Sequence, residues 1–155
     1  MHKVSGGCHC GNVRVDLQLA REPGTYHPRA CDCDFCRKHG AAYLSDPLGS
    51  LTIRILDARN VGNYRQGSGV AECIFCTRCG VLIGALYRSE GGIWGTINAR
   101  ILEDATSFGA EQCVSPKALS ANEKERRWQD IWFHNVAIVN EGTPCSPVRL
   151  DGSAS

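Results

Sequence analysis

The chain lacks a strong net charge, a long apolar run and a basic tail. Its formal charge of +1 at pH 7 offers no field for nucleic acid. No stretch approaches the roughly 20 apolar residues of a membrane span. The opening Met1-His2-Lys3-Val4-Ser5-Gly6-Gly7 has no apolar segment, so no secretory signal is expected and the chain reads as cytoplasmic. No internal repeat is visible beyond two short cysteine knuckles. The length of 155 residues fits a single domain with its own core. We place that domain at residues 1–140 and a loose Gly-, Pro- and Ser-rich tail at 141–155.

What the chain does have is cysteine. Seven of its ten cysteines fall in three clusters: Cys8-x-Cys10-Gly11, Cys31-x-Cys33-x-x-Cys36 and Cys76-x-x-Cys79-Gly80. In a reducing compartment such clusters are metal or catalytic sites. Cysteines one residue apart are badly placed to bridge each other, so spacing argues against a disulfide framework. Neighbouring thiolates can instead converge on one Zn²⁺ at about 2.3 Å each. Seven thiols exceed one tetrahedral site and fall one short of two. That count predicts two Zn²⁺ per chain, one in a closed Cys₄ site and one in a three-cysteine site with an open position. Seven thiolates and two zinc ions would leave the protein slightly acidic, which weakens a nucleic-acid reading further.

The first 100 residues read as short strands with metal knuckles at their ends. Residues 13–19 and 51–55 alternate apolar and polar side chains, the signature of half-buried strands. Residues 61–65 form a short strand before a turn at 66–69, and 81–87 and 93–97 form a hairpin. Residues 26–30 lead as an extended segment into the second cluster. Ser120-Ala121-Asn122-Glu123 is a capping box, and Trp128, Ile131 and Trp132 share one helical face, so a helix is expected over 121–133. The fold class is mainly β with a C-terminal helix.

Gly11 and Gly80 follow the last cysteine of the first and third clusters, where a zinc knuckle needs a positive φ. Two such knuckles facing each other make a closed, structural site from Cys8, Cys10, Cys76 and Cys79. Cys31, Cys33 and Cys36 form the open site, with Arg37 and Lys38 beside it to offset its charge or draw in an acidic substrate. Cys73 or His39 could close that site as a fourth ligand. Cys113 and Cys145 stand apart and are expected to be buried as small hydrophobes.

Several segments resemble a known family, the glutathione-dependent formaldehyde-activating enzymes, whose domain is shared with centromere protein V. They are Gly7-Cys8-His9-Cys10-Gly11-Asn12-Val13, Cys31-x-Cys33-x-x-Cys36-Arg37-Lys38, Phe75-Cys76-x-x-Cys79-Gly80 and Ile97-Asn98-x-Arg100-x-Leu102. The resemblance spans about residues 5–104. It implies a β-tent zinc fold like that of methionine-R-sulfoxide reductases. It implies the same division of cysteines, with Cys31, Cys33 and Cys36 catalytic. The family reaction joins glutathione to formaldehyde and is classed as a carbon–sulfur lyase activity. Arg37, Lys38, Asn98 and Arg100 are candidate substrate contacts, Asn98 and Arg100 being equally at home in a strand-end structural role. The chain departs from the family at Cys73, near which many members carry histidine, and in a longer segment after Phe108. Competing readings are a non-catalytic zinc-binding interaction module and a redox-sensing zinc switch that uses Cys73. The sequence leaves the oligomeric state open.

Overall fold

Alternation in the sequence becomes strand in space. Val13, Val15, Leu17 and Leu19 are all buried, whereas Arg14 between them is exposed. This two-residue period marks a sheet with one wet face. The computed structural model describes residues 1–103 and 107–142. In chain order its strands are β1 (His2–Gly7), β2 (Val13–Leu19), β3 (Arg29–Cys31), β4 (Ala42–Leu44), β5 (Ser50–Ile55), β6 (Val61–Arg65), β7 (Glu72–Cys76), β8 (Leu82–Ser89), β9 (Gly92–Asn98), β10 (Gln112–Val114) and β11 (Asn135–Asn140). Two α-helices join them, α1 (Asp34–His39) and α2 (Ala121–Ile131). Among the described residues, no helix is long and apolar enough to cross a membrane.

The strands make two sheets. One has the order β1-β2-β5-β11 and the other β10-β3-β4-β9-β8-β7-β6. Pairing is antiparallel except for β11 on β5 and β10 on β3. Between the sheets lies the main core, with Val13, Val15, Leu17, Leu51 and Ile53 on one side and Ile83, Leu86 and Ile97 on the other. Each such side chain contributes roughly 1.5–3 kcal/mol on burial. A second core, with Tyr43, Cys73, Leu82, Ala85, Tyr87, Trp128 and Trp132, includes residues of the larger sheet and of α2. The middle of that sheet is therefore covered on both faces. This is why β8 reads as an almost continuous apolar run, Leu82-Ile83-Gly84-Ala85-Leu86-Tyr87.

The capping box of α2 is formed in both directions. Glu123 N–H donates to Ser120 Oγ (3.3 Å), and Ser120 N–H donates to Glu123 Oε2 (2.7 Å). The helix stops at Ile131 rather than 133. Trp132 is already extended, with ψ 162°. Phe133 then bonds Gly95 through both backbone groups, at 3.0 and 2.9 Å, which a helical residue could not do. Trp128 and Trp132 stack with ring centroids 5.1 Å apart.

β11 was not anticipated. It adds a parallel strand to β5, and Glu141 N–H continues the ladder onto Ile55 O at 2.7 Å. The expected tail is therefore docked at its first residue. Residues 143–155, which carry the rest of that tail and Cys145, lie outside the described residues. Cys113 corrects the expectation of burial. It is exposed, because it sits on β10, a three-residue strand at the outer edge of its sheet.

Candidate functional site

Each knuckle is built by the same backbone bonds. Cys8 N–H donates to Val13 O at 2.9 Å, and Cys76 N–H donates to Val81 O at 3.0 Å. Gly11 N–H closes back onto Cys8 O and Gly80 N–H onto Cys76 O, at 3.2 and 2.8 Å. Gly11 and Gly80 have φ of 81° and 79°, the left-handed region that the sequence predicted at both positions. Buried Asn12 ties the first knuckle to a neighbouring loop, donating to Asp57 O (3.2 Å) and Asn60 O (3.3 Å). Asn60 O in turn accepts Thr77 N–H from the second knuckle.

The two knuckles meet. The sulfurs of Cys8, Cys10, Cys76 and Cys79 all lie within 4.8 Å of one another. Cys8–Cys10 and Cys10–Cys76 are separated by 3.7 and 3.6 Å. Bonds of about 2.3 Å in a tetrahedron would put sulfurs about 3.8 Å apart, whereas a disulfide would put them about 2.05 Å apart. Backbone N–H groups also aim at the sulfurs, as Val13 does at Cys8 Sγ (3.2 Å). Burial works against a charged Cys79, yet N–H bonds from Cys10 and Val81 hold it below the ordinary thiol range. Such donors favour thiolate, the form that binds metal. These four residues fit a closed zinc site.

The second cluster is assembled from the end of β3 and the start of α1. Cys33 caps α1, its sulfur accepting Cys36 N–H at 3.4 Å. Cys31, Cys33 and Cys36 also lie within 4.8 Å of one another, a donor set that fits one metal ion with room for a further ligand. Hydrogen bonding from Cys36 brings Cys31 well below the usual thiol range, while the same bond and burial push Cys36 up. The Tyr43 hydroxyl lies 3.3 Å from Cys36 Sγ, and burial pushes its pKa up. Gln66 Nε2 points at Cys33 Sγ from 3.8 Å.

Unlike the first cluster, the second opens into a cavity of about 380 Å³. Cys31, Cys33, Cys36, Tyr43, Trp128 and Trp132 line it, as do Arg29, Lys117, Lys124 and Arg127. Cys73 lines it too. Three residues apart on a strand, Cys73 and Cys76 face opposite sides of β7, and they fall in the two different cores. Cys73 does not join the three sulfurs that lie within 4.8 Å of one another. Burial raises its pKa to about 11, so it stays a neutral thiol.

The bases singled out from the sequence lie elsewhere. Arg37, Lys38 and His39 are exposed on the last turn of α1, because the helix turns Cys36 inward and them outward. Asn98 is buried, donating to Leu82 O (3.1 Å) and accepting Arg100 N–H (3.2 Å). Exposed Arg100 donates to Gly40 O at 3.0 Å and pairs with Glu111 at 2.5 Å. None of these five lines the cavity. Arg29, Lys124, Arg127 and Tyr43, which do, carry no motif in the sequence. Only the one-sided helix pattern of α2 could have placed Lys124 and Arg127 near its packed face.

The family model described as "Glutathione-dependent formaldehyde-activating enzyme" matches residues 3–122. A crystal structure of a Rhodobacter sphaeroides protein is similar at 27% sequence identity, covering 77% of this chain and 94% of that one, with a TM-score of 0.49.

Proposed function

The chain belongs to the glutathione-dependent formaldehyde-activating enzyme family, and from that membership we propose that it joins glutathione, or a similar small thiol, to formaldehyde or another small aldehyde. The activity is of the carbon–sulfur lyase type. The thiol sulfur bonds to the aldehyde carbon, the C=O π bond breaks, and the thiol proton ends on the new hydroxyl. Nothing is oxidised or reduced. The observation that carries this reading is a three-thiol cluster facing a cavity of about 380 Å³, beside a four-thiol cluster that the two knuckles close off.

We assign two zinc ions per chain, one to Cys8, Cys10, Cys76 and Cys79 and one to Cys31, Cys33 and Cys36. Zinc at the second position would supply a Lewis acid and a partner for a substrate sulfur or oxygen. The residues around it do the rest. Cys31, Cys33 and Cys36 would hold that ion at one wall of the cavity. Tyr43, whose hydroxyl lies 3.3 Å from Cys36 Sγ, would donate to that sulfur once it is a metal-bound thiolate. Trp128 and Trp132 form an apolar wall that limits water around the reacting pair. Arg29, Arg127 and Lys124 supply positive charge for the carboxylates of glutathione. Holding both reactants in one small cavity lowers the entropic barrier to their addition.

The test is NMR exchange spectroscopy of glutathione, formaldehyde and their hemithioacetal, with and without zinc-replete protein. Faster exchange with the wild type, lost in Cys33→Ala, is the expected result. Exchange at the uncatalysed rate with no detectable glutathione binding would leave the non-catalytic zinc module as the better reading.

A further inference from the structure

The two cysteine clusters draw their N–H donors from different sources. At the four-thiol cluster the donors are backbone groups: Val13 N–H meets Cys8 Sγ at 3.2 Å, and the N–H groups of Cys10 and Val81 meet Cys79. The knuckles themselves fix these donors in place. At the second cluster Cys33 Sγ accepts the backbone N–H of Cys36 at 3.4 Å. It also faces a side-chain amide, Gln66 Nε2, at 3.8 Å. Gln66 is 33 positions away in the chain and lines the same cavity as Cys33.

Two arrangements hold that amide in reach. Phe35 of α1 stacks on Tyr64 of β6 with ring centroids 5.4 Å apart. This seats the strand end that leads into Gln66 beside the helix that carries Cys36. The chain then reverses over Gln66-Gly67-Ser68-Gly69. Gly69 N–H closes the turn on Gln66 O at 3.1 Å, with φ of 60° at Gly67 and 71° at Gly69. Arg65 pins the returning arm, donating to Gly69 O (3.2 Å), Val70 O (2.9 Å) and Glu72 Oε2 (3.0 Å). These bonds join the arms of the hairpin to each other, whereas the Gln66 side chain reaches out of the hairpin to the cluster.

We infer that Gln66 is a positioning residue of the second cluster: its side-chain N–H donates to the Cys33 sulfur and strengthens the cluster's hold on its metal ion. This rests on the metal assigned to Cys31, Cys33 and Cys36, and not on the thiol–aldehyde reaction. A neutral thiol accepts a hydrogen bond weakly, whereas bonds to a charged acceptor are shorter and about twice as strong. The donor therefore favours the thiolate over the thiol, and metal binding at neutral pH follows the thiolate. Three thiolates around one divalent ion also carry a single negative charge. An amide dipole aimed at one of them offsets part of it. Groups that hydrogen-bond to metal ligands typically change affinity by about 10–100-fold.

Chelator competition on the cobalt-substituted protein tests this, the visible absorption of Co²⁺ reporting on its ligands. Gln66→Met keeps the length of the side chain and loses the donor. Gln66→Glu sets a carboxylate against an anionic cluster, and Gln66→Lys keeps an N–H donor. Gln66→Met should bind the second cobalt about tenfold more weakly and shift its sulfur-to-metal absorption, with the first cobalt unchanged. Gln66→Glu should weaken it further, and Gln66→Lys should hold it about as tightly as the wild type. A role confined to the shape of the turn would not rank these side chains by their donors. Equal affinity in the wild type and Gln66→Met, or equal loss in Gln66→Met and Gln66→Lys, overturns the inference and leaves the metal assignment standing. A wild type that binds a single cobalt overturns that assignment and the inference with it. The predicted ranking without hemithioacetal acceleration by the wild type overturns the proposed reaction and leaves the role of Gln66 standing.

Discussion

At the scale of the residue, buried polar groups tie loops together. Asp46 Oδ2 accepts Ala20 N–H (2.8 Å) and the Tyr26 hydroxyl (2.6 Å), and Oδ1 accepts Leu48 N–H (2.9 Å). Burial alone would raise its pKa, but these donors outweigh burial and hold the carboxyl below its ordinary 3.8. A depressed carboxyl pKa contributes stability that is full above the ordinary value and is lost as pH falls through the folded one. Asp46→Asn should therefore cost about 1–3 kcal/mol at neutral pH and less in acid. Urea unfolding at about pH 7 and about pH 3 checks this; an equal loss at both contradicts the role given to the charge. Nothing in the sequence marks Asp46 or Tyr43. Each matters because of what the fold brings to it, and Tyr43 reaches Cys36 only because β4 runs back beside β3.

At the scale of the element, the two cysteine clusters differ in what they hold together. Cys8 and Cys76 are 68 positions apart, and their site pins the first knuckle to the second. Cys31, Cys33 and Cys36 belong to one short turn that β3 and α1 already form. Cys79→Ala should therefore cause loss of folding or a drop of many degrees in melting temperature, whereas Cys33→Ala should melt near the wild type and be inactive. Circular dichroism melting beside the exchange assay reads both; the opposite pattern would reverse the assignment of the sites. The clusters were legible because ligand spacing and the glycines after Cys10 and Cys79 are local signals. So were β2, β5, β6 and the β8–β9 hairpin, from alternation and turns, and α2, from its capping box. α1 is too short to show a period. β11 was not, although Val136-Ala137-Ile138-Val139 is apolar, because its partner β5 lies some 80 residues back.

At the scale of the whole molecule, the larger sheet separates the two clusters. Cys76 lies in the core between the sheets, and the second cluster lies on the far face under α2. In the proposed reading, one face serves stability and the other chemistry. The cavity's charge was not legible from the sequence, because Arg29 comes from β3 and Lys124 and Arg127 come from a helix about 95 residues later. The exposed Arg37 and Lys38 are nearer in sequence but point away. Cobalt substitution separates an open working site from a second structural one most directly, because tetrahedral Co²⁺ reports its ligands in its visible absorption. Titration with glutathione should show two cobalt ions per chain and shift the absorption of one while leaving the other unchanged. A single cobalt per chain, or two whose spectra ignore the thiol, would contradict the assignment of Cys31, Cys33 and Cys36 as the reacting site.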